Sequence, residues 1–331
     1  MITKTLYYCS KQFVPYENLA TEACLMESVQ AGCCILYLWQ NKKTVVIGRN
    51  QNCWKECNVG KLENDGGYLV RRLSGGGAVF HDLGNLNFTF LVRQEDYDVD
   101  KQLEVILRAV NLLGIHAEKS GRNDITVDGR KFSGNAFYSQ AGHCYHHGTL
   151  LLQVDMEKLS HYLNVSREKL ESKGVASVKS RVANLIDYCP AITVDLMKEK
   201  LLEAFAQVYG TVPEELEDDL LDRQRISELT EKFSSWEWIF GKKIPFTFEA
   251  ERRFPWGNIQ MQLQVDKGII TQAAVYSDAM AGELISGIHL EGCAFSSKAM
   301  SGRVKELSEQ QNSSAVGVIE DICRFIKEQN I

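Results

Sequence analysis

The segment Arg71-Arg72-Leu73-Ser74-Gly75-Gly76-Gly77-Ala78-Val79-Phe80-His81-Asp82 lies between two runs that read as strands. Gly67-Tyr68-Leu69-Val70 precedes it, and the alternating apolar run Leu86-Asn87-Phe88-Thr89-Phe90-Leu91-Val92 follows. Strand next to strand, without an intervening helix, is the signature of a sheet with antiparallel neighbours. Three adjacent glycines cost backbone entropy, so something must require them. They let the main chain approach another group closely and take positive φ. The adjoining arginines set cations beside the freed N–H groups, a combination suited to a carboxylate or a phosphate. A tight hairpin needs one or two glycines and no arginine pair, so a plain turn explains the segment less well.

Outward from this loop, the pattern stays α+β. Pro15 to Gly32 has helical periodicity, with proline at the first turn and glycine as a stop. Cys33 to Trp39 and Lys43 to Ile47 read as strands. Asp100 to Leu113 reads as a helix with Asp100 as N-cap and Gly114 as terminator. Ile125-Thr126-Val127 and Lys131-Phe132 form strands joined by Asp128-Gly129, a favoured hairpin turn, and Gly148 to Val154 is a further strand. Thr193 to Tyr209 and Leu216 to Phe233 are expected helices, the acidic run Glu214 to Asp222 being a solvated helix start. From Phe246 strands return, with Asp266-Lys267-Gly268 turning between Gln260–Val265 and Ile269–Tyr276, and two helical segments close the sequence. The expected fold is α+β with a mixed, largely antiparallel sheet and flanking helices. A break near Trp238 to Pro245 separates a large domain, 1–244, from a small α+β domain, 245–331.

Composition narrows the function. The 331 residues carry 44% hydrophobic and 24% charged side chains and only five prolines, as in an ordinary globular protein. A formal charge of −6 gives no global basic field, which disfavours a long nucleic-acid ligand but leaves a nucleotide or a small acid open. No apolar run has the length of a membrane span, and Met1 to Tyr8 has no secretory h-region, so a cytoplasmic location is expected. The ten cysteines include no C-x-x-C pair and read as reduced, mostly buried residues. The Walker A, H-E-x-x-H, G-x-S-x-G and G-x-G-x-x-G patterns are all missing, which sets aside the commonest nucleotide, zinc, hydrolase and dinucleotide sites.

A second group of candidates lies in Gly121-Arg122-Asn123-Asp124-Ile125-Thr126-Val127-Asp128-Gly129-Arg130-Lys131-Phe132-Ser133-Gly134-Asn135-Ala136. Lys131 stands beside a hairpin and is followed by Ser133 and Gly134, small residues that leave room for a ligand. Asp124 could hold a divalent cation. Taken singly, each also has an ordinary structural reading, as a solvated strand lysine and a turn former. In Tyr145-His146-His147-Gly148-Thr149 the two histidines point to opposite faces of a strand and cannot easily share one metal. One of them is expected to be buried and to satisfy a backbone carbonyl. Glu171 to Leu185, with its lysines, serines and glycine, fits a phosphate-covering loop or an ordinary exposed one.

With these residues in view, the sequence resembles the lipoate–protein ligases, in their long bacterial form with a C-terminal accessory domain. The Arg71 to Asp82 run is similar to their lipoate-binding loop, and Gly121 to Ala136 to the segment that holds their essential lysine. His146 to Leu151 and Lys173 to Leu185 resemble the strand and adenylate-binding loop beyond it. The likeness continues through Ser234 to Trp238 and Trp256-Gly257. The resemblance implies a two-step reaction: lipoate and ATP with Mg²⁺ give lipoyl-AMP and pyrophosphate, and the lipoyl group then passes to a lysine of an acceptor protein. The acceptors it implies are lipoyl domains, namely the E2 subunits of 2-oxoacid dehydrogenases and the glycine-cleavage H protein.

By position, the resemblance makes Lys131 the catalytic cation. Arg72, Gly77, Ala78, Val79, Phe80, Lys131, Lys173 and Ser177 would contact the nucleotide. Trp39, Ser74, Gly75, Gly76, Gly77, His81, Lys131, Gly134 and His147 would contact lipoate, and Asp124 would hold the metal. Two other readings compete. An octanoyltransferase would use a cysteine thiolate in place of ATP, with Cys144 as the candidate. A non-catalytic lipoyl-carrier-binding module would be expected to lack Lys131. Biotin ligases share the general fold, but their Gly-Arg-Gly-Arg type loop is missing from this sequence.

Overall fold

The computed structural model describes residues 1–121, 124–164, 182–241, 244–307, 313–329 and 331. They form two compact units. The first comprises Met1–Val46, Trp54–Val70 and Val79–Ser235, and the second Ile47–Cys53, Arg71–Ala78 and Trp236–Ile331. The glycine run therefore clusters with the C-terminal residues.

The strands of the N-terminal part are β1 (Lys4–Cys9), β2 (Cys33–Trp39), β3 (Thr44–Ile47), β4 (Tyr68–Arg71), β5 (Val79–His81), β6 (Asn85–Arg93), β7 (Glu118–Ser120), β8 (Asp124–Val127), β9 (Arg130–Gln140), β10 (His143–Leu151) and β11 (Glu214–Glu215). Eight of them make one sheet in the order β11-β1-β2-β6-β10-β9-β8-β7, and the other three make a small sheet, β4-β3-β5. β1 runs parallel to β2 and β11, whereas β2–β6, β6–β10, β10–β9, β9–β8 and β8–β7 are antiparallel. This is the mixed, largely antiparallel α+β sheet the sequence leads one to expect. In the small sheet β3 lies between β4 and β5, so the glycine run is a connection around a central strand and not a hairpin turn.

Register gives the large sheet two unlike faces. Leu38 pairs with Phe88 and Phe88 with Gly148, while Tyr37 pairs with Thr89, Thr89 with His147 and His147 with Ala136. Directly paired residues share a face and neighbours along a strand alternate. Leu36, Leu38, Phe88, Phe90, Cys144 and Leu150 thus point one way, where helices Val99–Asn111 and Val194–Tyr209 cover them in a common apolar core. Each such Leu or Phe contributes about 1.5–3 kcal/mol by its burial. Tyr37, Trp39, Asn87, Thr89, Tyr145, His147 and Thr149 point the other way.

Local expectations fail where tertiary pairing decides. The first helix is Pro15–Ser28 and stops before Gly32, which takes φ +73° in the turn into β2. The cap of Val99–Asn111 is Asp98, accepting from the Lys101 N–H, with Asp100 one place inside the first turn. The acidic run is not a helix start. Glu214–Glu215 pairs with β1, Asp218 accepts from the Tyr8 hydroxyl, and the helix begins only at Arg223, capped by Asp222. β10, His143–Leu151, includes the histidine pair as expected but ends before Val154, the expected end of the strand. The Asp128-Gly129 hairpin is as expected, with both residues at positive φ.

In the second unit β12 (Phe248–Phe254), β13 (Gly257–Asp266) and β14 (Ile269–Ser277) form an antiparallel meander. Ile259, Met261 and Leu263 pack on Met300, Ile322 and Phe325 from helices Ser297–Glu306 and Ser313–Glu328. Among the described residues no helix is long and apolar enough to cross a membrane.

Candidate active site

Lys131 owes its direction to a β-bulge. β8 and β9 pair Thr126 with Lys131 but Ile125 with Ser133, so Phe132 is an extra residue in β9. An inserted residue reverses the alternation beyond it. Phe132 and Ser133 turn to the helix-covered side, both fully buried, while Lys131 shares a face with Thr126, Asp124 and Gly134. The Lys131 ammonium donates to Asp124 Oδ1 at 2.6 Å, and both side chains are about one-fifth exposed, 22% and 20%. The Gly134 N–H donates to Thr149 Oγ1 at 3.2 Å. Beside Lys131 the backbone of Val182 and Ala183 is bonded in, with the Ala183 N–H on the Lys131 carbonyl at 2.9 Å. Ser133 thus leaves no room for a ligand here: it belongs to the core.

The same sheet face carries a buried polar chain. Trp39 Nε1 donates to Thr89 Oγ1 at 3.0 Å, Thr89 donates to Glu22 Oε1 at 2.7 Å, and His147 Nδ1 meets the same oxygen at 2.8 Å. Trp39 also stacks on Tyr37 and meets His81 edge-on, while His147 lies 4.7 Å from the Tyr145 ring. Asn41 Nδ2 approaches His81 Nδ1 at 3.3 Å. Trp39, His81 and His147, far apart in sequence, are therefore one cluster. Glu22, Thr89 and Asn41 were not foreseen as members. Glu22 had a signal: a carboxylate inside the apolar run Leu19 to Met26 is rare unless it is paired.

Lys131 is in β9 and Trp39 in β2, three strands apart. At the usual strand spacing that is about 14 Å across the sheet. Phe80 is a core residue against Tyr162, so only its backbone is available to a ligand. Val79 pairs with Val46.

Both arginines make extensive bonds to the chain itself. Arg71 is buried, and its guanidinium donates to the carbonyls of Gly48, Arg49, Gln51, Trp238 and Ile239 at 2.6–3.1 Å. Burial pulls its pKa down to about 10. Arg72, also buried, donates to Ser74 Oγ and to the carbonyls of Gly75 and Gly77. Both cations serve to fold the loop, because a fork of N–H donors can satisfy several carbonyls at once. Chain packing within this unit also constrains Gly75 and Gly76 of the run. A Cβ on Gly75 would run into the carbonyls of Ala279 and Met280, one on Gly48 would strike the Gly76 carbonyl, and Gly76 itself takes φ +91°. The Gly76 N–H donates to the Ala279 carbonyl at 3.0 Å.

Of the two adjacent histidines, His146 is the core residue. It is wedged among Phe88, Phe90 and Phe137, its Nε2 lies 2.8 Å from Asn135 Oδ1, and burial lowers its pKa to about 3. Its partner is a side-chain amide, not the backbone carbonyl expected. Cys144 shares that helix-covered face, 1% exposed and against Ser139 Oγ, on the opposite side of the sheet from Lys131. Lys173 and Ser177 lie outside the described residues.

For a metal, no group of three or more His, Cys, Asp or Glu side chains converges among the described residues. A single carboxylate such as Asp124 suits Mg²⁺, which keeps waters and takes phosphate oxygens, and does not suit an all-protein cage.

This fold has counterparts among known proteins. Residues 14–206 match the lipoyl protein ligase A/B catalytic domain, and residues 243–326 the bacterial lipoate protein ligase C-terminus. The chain belongs to the lipoyl protein ligase A/B family. It is similar to the LipL1 structure of P. falciparum in complex with lipoate, at 26% identity and TM-score 0.83 over 97% of this chain and 99% of the other. It is also similar to the bi-partite lipoate protein ligase of Thermoplasma acidophilum, described with its E2 lipoyl domain, at 26% identity and TM-score 0.63 over 75% and 100%. A lipoate-protein ligase A bound with ATP matches at 25% identity and TM-score 0.63, over 73% and 99%.

Proposed function

We propose that this protein is an AMP-forming lipoate–protein ligase. It would activate lipoate with ATP to lipoyl-AMP, releasing pyrophosphate, and transfer the lipoyl group to a lysine of a lipoyl-domain acceptor. The observation that carries this reading is the Lys131 ammonium, held 2.6 Å from Asp124 on the sheet face that also bears Trp39 and His147, with His81 of the small sheet set against the Trp39 ring. Lipoate- and ATP-bound relatives support the two substrates, and the archaeal ligase with its E2 lipoyl domain supports the acceptor class. E2 subunits and the glycine-cleavage H protein are the acceptors proposed.

The chemistry follows from the charges. A carboxylate attacks the α-phosphorus of ATP, the new C–O–P linkage forms, and the bond to pyrophosphate breaks. Two anions must meet, and a cation between them is worth about 4 kcal/mol at ~4 Å and an effective dielectric of ~20. Lys131 would supply that charge and, on a flexible stem, follow it from carboxylate to mixed anhydride. The acyl chain would lie across the strands toward Trp39, His81 and His147, a distance suited to a medium-length acid. Asp124 would hold Mg²⁺, whose chemistry is to neutralise phosphate charge. Val79 and the Phe80 backbone would meet the nucleotide. For the glycine loop we propose a part in ligand binding through Ser74, Gly75, Gly76, Gly77 and Ala78, with Arg72 shaping it. The proposed domain division, 1–244 catalytic and 245–331 accessory, and the cytoplasmic location complete this reading; ten free cysteines suit a reducing compartment.

Lipoate-dependent exchange of labelled pyrophosphate into ATP tests the proposal. Exchange is expected in the wild type and lost in Lys131→Ala. A wild type without exchange overturns the ligase reading, and exchange retained in the variant removes Lys131 from the chemistry. The thiolate alternative is disfavoured by Cys144, which faces the apolar core.

A further inference from the structure

Gly134 has an ordinary backbone and no steric need for glycine on its own account, yet a Cβ there would meet a neighbour too closely. The atoms it would meet are Nζ and Cε of Lys131, at 2.6 and 2.8 Å; the next is Thr149 Oγ1 at 3.8 Å. The space above Gly134 is filled by the far end of the lysine side chain. The bulge brings Lys131 onto the Asp124 face, and the bare α-carbon of Gly134, paired with Asp124 across the strands, lets the stem lie flat along that face. Asp124 then fixes the tip at 2.6 Å.

We infer that Gly134 is a positioning residue for the Lys131 ammonium, acting through that side chain and not by touching lipoate. The inference rests on Lys131 being the adenylation cation. Its geometric part, that a methyl group at 134 displaces the ammonium from Asp124, stands apart from any activity. The obstacle is the far end of a flexible side chain, so Gly134→Ala can fold normally while the ammonium moves. A displacement near 1 Å at a reacting centre costs on the order of 10²-fold in rate.

The test joins three measurements on wild type, Gly134→Ala, Lys131→Ala and the double variant. Reductive methylation with peptide mass mapping reads Lys131 directly, and its labelling is expected to rise in Gly134→Ala as the Asp124 bond is lost. Pyrophosphate exchange is expected to fall about 100-fold in kcat, with a much smaller change in KM for lipoate. Calorimetric lipoate affinity is expected to be the same in Lys131→Ala and in the double variant, because Gly134 acts only through the lysine. Unchanged labelling in Gly134→Ala, or weaker lipoate binding in the double variant than in Lys131→Ala, overturns the inference. A wild type without exchange, but with the expected labelling change, overturns the ligase reading and leaves the positioning geometry standing.

Discussion

Arg71 and Lys131 are both cations near a strand end, and they are used in opposite ways. Arg71 closes β4, is 6% exposed and spends its guanidinium on five backbone carbonyls. Lys131 stands at the second position of β9, on the face of the candidate site, and meets a single described carboxylate. Side-chain geometry accounts for the difference. A planar fork with five donors stitches loops together, whereas a compact ammonium on a flexible stem is a movable point charge. Cations beside a glycine run are therefore not by themselves an anion site, since the same residues can be what holds the run in shape.

The contrast breaks if the two cations respond alike to removal. Lys131→Ala is expected to cost about 10²–10³-fold in pyrophosphate exchange, the scale for loss of one aimed donor, with an unaltered thermal transition. Arg71→Leu should do the reverse to the fold. It leaves buried carbonyls without donors at about 1–3 kcal/mol each, so chemical denaturation should show a loss of ~3 kcal/mol or more. Arg71→Lys should rescue little of it. The glycines of the loop should follow Arg71: Gly75→Ala drives a methyl group into the Ala279 and Met280 carbonyls and should destabilise by about 1–3 kcal/mol.

A smaller effect separates the two faces of the sheet. His146 holds a proton less readily folded than unfolded, its pKa falling from 6.5 to about 3 through burial. Between those values the unfolded chain binds more protons, so stability contributed by neutral His146 is full above pH 6.5 and is lost progressively as pH falls toward 3. Urea unfolding at pH 7 and pH 5 should show a larger drop for wild type than for His146→Gln, which keeps a donor for Asn135 and does not titrate. The smallest effect expected is that of Cys144→Ala on exchange. Buried on the helix side, it should leave activity unaltered, and near-complete loss would revive a thiolate mechanism.

Much of this was legible in the sequence because it is local. Alternation marked β6, branched and aromatic residues marked β2, the turn Asp266-Lys267-Gly268 marked β14, Asp128-Gly129 marked its hairpin, and the strand-after-strand order marked the α+β class. Lys131 and Asp124 stood out as candidates through their neighbours. What stayed hidden depends on partners distant in the chain. β1 gained its role from β2 and β11, and the acidic run was drawn into a β1 pairing in place of a helix. Arg71 looked like a ligand cation because nothing near it in sequence announces the carbonyls of 238 and 239.

The sequence by itself settled which residue types this protein has to work with: a lysine beside a hairpin, an aspartate across it, an apolar tryptophan strand and a glycine run with arginines. Tertiary structure decided where each of them points. One extra residue in β9 turns Lys131 toward Asp124 and sends Ser133 into the core, and strand register puts His147 with Trp39 while leaving His146 and Cys144 under helices. The reason is physical: periodicity along a strand fixes alternation, but only pairing with another strand fixes its phase, and phase chooses the face.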